Sequence, residues 1–367
     1  MKARLPTPRR PLHSLRNARD RFLHARDLIQ AGKTQHRIIH RHDIVSVRAY
    51  PALEDAHATP LVIVPPLAVN MLIYDLFPQR SLVRFYQEQG FRVYMIDWGR
   101  PGSRQNSWNF ATYLKQLMPE CLEQIRQDAG TRTLSLHGWS MGGIFSYCYA
   151  ALGDPDIANL VLLGPPCDYH APGGVNWQNR LLAKQMRQLE RVGWNVHGTH
   201  PRWWRSPGWA NSLAFKLASP AGTMRGYTDL LRNLHDREFV TNHATHAAFL
   251  DDMVAYPGGV IQDVLQYLLT DNVLASGRLP IRDCAASLQS VKQPVLMVLG
   301  KSDPIISPAS SQRLRELLGS TELETMQVPG GHMSIVSGSK APSSIWEPSA
   351  AWLAQRSGGR IKQQPAA

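Results

Sequence analysis

Short runs rich in Val, Ile and Leu recur along the chain, separated by longer segments whose apolar residues return every three or four positions. The runs are 61–66 (LVIVPP), 92–98 (RVYMIDW), 133–137 (TLSLH), 159–163 (NLVLL), 294–300 (PVLMVLG) and 324–328 (ETMQV). Apolar at nearly every position, they suit strands buried on both faces. Their alternation with segments of helical period predicts an α/β fold: a mostly parallel sheet flanked by helices. MGGIFSYCYAALG (141–153) fits one helix returning the chain to the next parallel strand. Phe110, Leu114, Leu117, Cys121, Leu122 and Ile125 share a helical face, with Pro119 expected to start or kink that helix.

The rhythm stops between 169 and 289, where aromatic, His and Arg residues dominate, as in WNVHGTHPRWWRSPGW (194–209). An insertion between core strands reads as a largely helical cap over the carboxyl edge of the sheet, where open α/β sheets bind ligands. Trp203, Trp204 and Trp209 are expected to fill the core of that cap. The resulting division is a basic N-terminal extension (1–48), a core (49–168 and 290–356), the cap (169–289) and a flexible tail (357–367).

Charge changes the picture at one end only. The net charge is +12, and residues 1–48 carry twelve Lys or Arg against three Asp, which accounts for nine of those charges. Such a head suits an acidic partner, an anionic lipid or granule surface, or nucleic acid, or else a solvated extension that packs loosely; no base-reading motif accompanies it. The longest apolar stretch, LVIVPPLAV (61–69), is short of a bilayer span and broken by two prolines, and no secretory signal pattern is present. Cys121, Cys148, Cys167 and Cys284 lack C-x-x-C spacing and read as reduced thiols of a cytoplasmic protein. The clusters His36, His40, His42 and His235, His243, His246 have no cysteine at ligand spacing, so hydrogen bonding is expected of them, and neither a metal nor a cofactor is called for.

Candidate chemistry centres on LSLHGWSMGGIF (134–145), where Gly138, Ser140 and Gly142 form G-x-S-x-G between an expected strand and an expected helix. This is a nucleophile elbow, a sharp turn that exposes the Ser hydroxyl and tolerates only glycine beside it. The helix start aims backbone N–H groups at the site, making Met141 N–H one oxyanion donor, with Ala68 N–H, after the strand at 61–66, the candidate for the second. A serine needs a base, and an acid to orient that base. VLGKSDP (298–304) sets Asp303 just past a strand end, and VPGGHMSIV (328–336) sets His332 past the last strand. Asp168, in GPPCDYH (164–170), is the reserve acid.

PPLAVNMLIYDLFPQRSLVRFYQEQGFRVYMIDWGRPG (65–102), GWSMGGIFSYCYAAL (138–152), SVKQPVLMVLGKSDPIISPASS (290–311) and VPGGHMSIVSGSKAPSSIWEPSAAWL (328–353) resemble the polyhydroxyalkanoate synthases, chiefly the short catalytic subunits that work with a second subunit. The likeness covers most of 55–355, matches the cap loosely and the basic head not at all. It implies an α/β-hydrolase fold in which a (R)-3-hydroxyacyl-CoA acylates the nucleophile and the chain grows by transfer to a 3-hydroxyl, with Ser140 as nucleophile, Asp303 as acid and His332 as base. Two departures stand out: Ser140 replaces the Cys of those synthases, and Pro304 replaces the His that usually follows the acid. A Cys thioester keeps the acyl group activated, whereas a Ser ester keeps less of that activation and relies more fully on His332.

Three readings follow: a synthase-type acyl-transfer enzyme with a second subunit or a homodimeric partner; a serine esterase or thioesterase with water as acceptor; and a non-catalytic protein that binds a granule, membrane or acidic partner through residues 1–48.

Overall fold

The computed structural model describes residues 10–51, 55–218 and 220–362. Its strands are β1 (Arg37–His42), β2 (Val45–Tyr50), β3 (Asp55–His57), β4 (Leu61–Val64), β5 (Val93–Asp97), β6 (Leu134–Trp139), β7 (Ile157–Leu163), β8 (Val295–Gly300), β9 (Leu323–Val328) and β10 (Arg360–Lys362). Eight of them form one sheet in the order β1-β2-β5-β4-β6-β7-β8-β9, parallel from β5 to β9 and antiparallel where β2 joins β1 and β5. All six apolar runs in the sequence are strands of this sheet.

Burial on both faces explains the patterning. Successive residues of β4 divide between two cores, Leu61 and Ile63 on one face and Val62 and Val64 on the other. The same alternation separates Leu296 and Val298 from Val295, Met297 and Leu299 in β8. Each such side chain contributes roughly 1.5–3 kcal/mol by leaving water, so a central strand cannot carry polar positions without loss. Helix Met141–Ala151 packs on one face and is buried from Gly142 onward; helix Leu82–Glu88 serves the other. Pro119 sits in the first turn of helix Met118–Ala129, preceded by a π-helical turn, Tyr113–Leu117, where its missing N–H is tolerated.

The N-terminal segment departs from expectation. Residues 37–50, of which 37–48 belong to the segment read as an extension, supply the first two strands of the main sheet, with Val45, Val47 and Ala49 buried. The signal was masked because β1 is an edge strand. Its basic residues Arg37 and Arg41 are exposed, as edge strands require. Helix Arg10–Leu23 is docked as well: Asn17 Nδ2 donates to Leu234 O (2.8 Å), and Arg237 pairs with Asp20 (2.7 Å). A loosely packed head is therefore not what residues 10–48 form; Lys2, Arg4 and Arg9 lie outside the described residues. At the other end, β10 pairs with β3, so residues 360–362 of the expected tail are held in a two-stranded sheet, and 363–367 lie outside the described residues.

Between β7 and β8 run helices Asn176–Arg191, Gly208–Ala218, Pro220–Arg232, Arg237–Asp251 and Gly258–Asp263. Two tryptophans of this segment, Trp203 and Trp209, correct a second expectation. Trp203 and Trp209 are 67% and 72% exposed, and the indole of Trp204 donates to Thr199 Oγ1. With Leu213 and Leu217, Trp209 marks an apolar face turned to solvent. Aromatic content alone does not say which side of a helix faces inward.

Candidate active site

β6 ends at Trp139 and its helix begins at Met141, leaving Ser140 to make the turn alone at φ 55°, ψ −123°. A residue with a Cβ is strained there, and such strain persists only where the surroundings impose it. They do so here. A Cβ on Gly142 would lie 2.0 Å from the carbonyl oxygen of Val64, and one on Gly138 would lie 2.4 Å from that of Gly142. The Ser140 N–H donates to Leu163 O on β7 (2.9 Å), tying the elbow to the neighbouring strand. Met141 N–H lies in the first helical turn, where no intrahelical acceptor exists.

The loop after β4 passes directly over the elbow, since Val64 and Pro65 are the atoms that crowd Gly142. Ala68 in this loop has φ 66°, a second strained residue, and is buried. Its clamps are visible. Trp98 Nε1 donates to Pro65 O (2.8 Å), Val254 N to Ala68 O (2.8 Å), and Asn70 Nδ2 to Asp252 O (2.9 Å) and Phe249 O (3.2 Å). The loop carrying the second oxyanion candidate is thus held by the 249–254 segment, a tie invisible in the sequence.

Asp303 and His332 meet. His332 Nδ1 and Asp303 Oδ2 are 2.7 Å apart, both side chains being almost wholly buried. Asp303 Oδ1 accepts from Ile305 N and Ile306 N (2.9 Å each), which fixes the carboxylate. With Nδ1 facing a carboxylate, the ring proton belongs on Nδ1 and the Nε2 lone pair is free to act as base. The His332 ring lies over the Gly164 backbone, 3.5 Å from where a Cβ would stand there, next to the Leu163 carbonyl that receives the Ser140 N–H. No hydrogen bond joins the Ser140 hydroxyl to His332 among the described residues; such contacts are commonly long before substrate binds and tighten afterwards.

The reserve acid is engaged elsewhere. Asp168 Oδ1 accepts from His170 N (2.8 Å) and Asn272 Nδ2 (2.7 Å). Cys148, eight residues after Ser140, does not take over the thiol role: burial pushes its thiol well above the ordinary range. Cys167 is raised by burial too, and Cys121 up to about 12. His137 is buried inside β6 and pushed down to about 4, so it is a neutral core residue. One participant was missed: Trp139, whose indole N–H donates to His332 O (3.1 Å). The x positions of G-x-S-x-G carry no signal for such a contact.

A family model for the alpha/beta hydrolase fold matches residues 59–339. The chain belongs to the α/β-hydrolase family. A second family model, the N-terminus of poly-beta-hydroxybutyrate polymerase (PhaC), matches residues 19–86. The likeness thus begins inside the basic head, which corrects the reading that the head matches nothing. The chain is 28% identical over 334 residues to a protein named poly(3-hydroxyalkanoate) polymerase subunit PhaC in Synechocystis, covering 90% of this chain and 87% of that protein. It is 26% identical over 333 residues to the protein of that name in Haloferax mediterranei, covering 90% of this chain but 65% of that protein. A polyhydroxyalkanoate-polymerase-like member of the hydrolase family is what these matches show, and they support an enzyme of the hydrolase-fold acyltransferase kind. Among solved structures, a monoglyceride lipase from Saccharomyces cerevisiae aligns with TM-score 0.54 at 15% identity, over 89% of this chain and 96% of that one. DcsB aligns with TM-score 0.51 at 19% identity, over 88% and 99%. These two share the hydrolase fold.

Proposed function

We propose that this hydrolase-family chain is an acyl-transfer enzyme working through an acyl-serine intermediate on Ser140, with a (R)-3-hydroxyacyl thioester as donor. The observation that supports this most directly is the buried Asp303–His332 pair beside the elbow. In this mechanism the Ser140 hydroxyl attacks the thioester carbonyl while His332 Nε2 takes its proton. The N–H groups of Met141 and Ala68 hold the oxyanion. As the C–S bond breaks, His332 returns the proton to the departing thiolate, and Asp303 stabilises the imidazolium in between. The hydroxyl of a second 3-hydroxyacyl thioester then attacks the ester, giving its proton to His332, which passes it to the departing Ser140 oxygen, and the lengthened thioester acylates Ser140 again.

A hydrolytic outcome is the second reading, and the specific observation favouring it is the oxygen nucleophile. An acyl-serine is less activated than an acyl-cysteine, so water competes better for it. Mass spectrometry after incubation with 3-hydroxybutyryl-CoA separates the outcomes. A ladder of oligomer masses on Ser140 is the transferase result, one acyl group with free acid accumulating is the hydrolase result, and no adduct on wild-type protein overturns both.

Contact with a granule or anionic surface is proposed for the exposed basic residues Arg16, Arg26 and Lys33, since residues 37–50 belong to the sheet. No helix among the described residues is long and apolar enough to cross a membrane.

A further inference from the structure

Two cavities have Met333, the residue after the candidate base, in their walls. One, of about 510 Å³, is largely apolar and includes Phe215, Tyr227, Phe239, Leu250 and Met333 in its wall. The other, of about 360 Å³, has Arg80, Ser334, Ser337 and Ser339 in its wall. His246 and Met333 line both, and Met333 directly follows His332.

Arg80 is the unusual member. Arg48, Arg126 and Arg237 each meet a carboxylate, Asp97, Asp154 and Asp20 respectively. No carboxylate meets Arg80 among the described residues, and its Nε is buried without a hydrogen-bond partner. Its guanidinium lies over the Phe77 ring, 4.7 Å from the centroid, and Phe77 in turn meets His246 edge-on at 5.1 Å. A half-buried cation fixed on an aromatic face without a counter-ion is unfavourable unless something negative joins it. No Asp or Glu lines the smaller cavity to do so. Ser334 Oγ accepts from Gly331 N (3.2 Å), which leaves its own hydroxyl hydrogen free to donate. Burial holds His246 neutral, its pKa pushed down to about 4, so its ring presents an N–H to a ligand without adding charge.

We propose that Arg80, with Ser334 and His246, is an anion subsite that receives a phosphate of a CoA-type acyl donor whose acyl end reaches His332 past Met333. This rests on the thioester reading of the site, and it assigns to the donor's carrier group a place that the catalytic residues do not provide. Guanidinium suits the role because its planar donors match phosphate oxygens.

The test compares 3-hydroxybutyryl-CoA with the N-acetylcysteamine thioester of the same acid, which lacks phosphate. Arg80→Gln is expected to lower kcat/KM for the CoA thioester at least about tenfold relative to the phosphate-free donor, with Arg80→Lys recovering part of the loss. Because a ratio between donors is read, partial misfolding does not imitate the result. An unchanged ratio overturns the subsite. Calorimetry of free CoA and pantetheine on Ser140→Ala protein keeps the two proposals apart. CoA binding at least tenfold tighter than pantetheine, lost in the Arg80→Gln, Ser140→Ala double variant, supports the subsite even where no thioester acylates wild-type Ser140. Equal binding of CoA and pantetheine overturns it even where acylation succeeds. Inorganic phosphate is expected to compete with CoA, and phosphate binding that leaves CoA binding unchanged also overturns it.

Discussion

The indole N–H of Trp139 donates to the backbone carbonyl of His332 at 3.1 Å, so the residue before the candidate nucleophile holds the loop of the candidate base. The rings also lie 5.3 Å apart between centroids. Trp139→Phe keeps much of the packing and removes the donor, leaving a buried carbonyl unpaired at about 1–3 kcal/mol. An unfolding free energy lowered by that amount is expected, with kcat falling about tenfold and KM little changed; an unaltered kcat would show that the loop needs no such tether.

Asp303→Asn retains the shape of the carboxylate but favours the wrong His332 tautomer. The same change in a serine protease triad lowers kcat by about 10⁴, and a loss of at least 10³ is expected here in ester turnover. Asp168→Asn, which touches His170 and Asn272 instead, is expected to stay within about threefold of wild type.

Ser140→Cys tests what the oxygen nucleophile changes. The variant is expected to release less free acid per CoA liberated and to carry longer acyl ladders, because a thioester intermediate stays activated toward hydroxyl acceptors. The ratio of acid to CoA, measured in one assay, decides it, and a rise in that ratio contradicts the idea that oxygen favours water.

Removing residues 1–50 is expected to abolish soluble expression, because β2 pairs with β5 and buries Val45, Val47 and Ala49. Charge is better tested by neutralising Arg16, Arg26 and Lys33 to Gln. Salt-sensitive binding to vesicles containing anionic lipid should weaken while ester turnover holds; unchanged vesicle binding places the surface elsewhere.

His137 makes stability depend on pH. Its folded pKa, about 4, lies below the unfolded value of about 6.5 because burial disfavours the charged ring. The unfolded chain therefore binds the extra proton between these values, and stability is fully present above about pH 6.5 and lost as pH falls toward 4. The loss reaches about 2 kcal/mol by pH 5. Urea unfolding at pH 8 and pH 5 is expected to show a smaller drop for His137→Gln than for wild type, and an equal drop would assign the effect to other groups.

The legible parts of this fold are those written in local pattern. The central strands could be read because burial on both faces excludes polar residues from them, as in LVIV and VLMVLG. The elbow was legible because only glycine fits against Val64 O. β1 and β2 were hidden because an edge strand keeps its charges and its partner is buried on one face only. Sequence order by itself set Ser140 before Asp303 and His332 at strand ends, and fixed the replacement of a thiol by a hydroxyl. Only the tertiary structure decided that Asp303 rather than Asp168 meets His332, that Trp139 tethers the loop, and that Arg80 stands without a carboxylate. Those are contacts between residues far apart in the chain, selected by how the sheet's parallel order brings strand ends together, and no local periodicity records them.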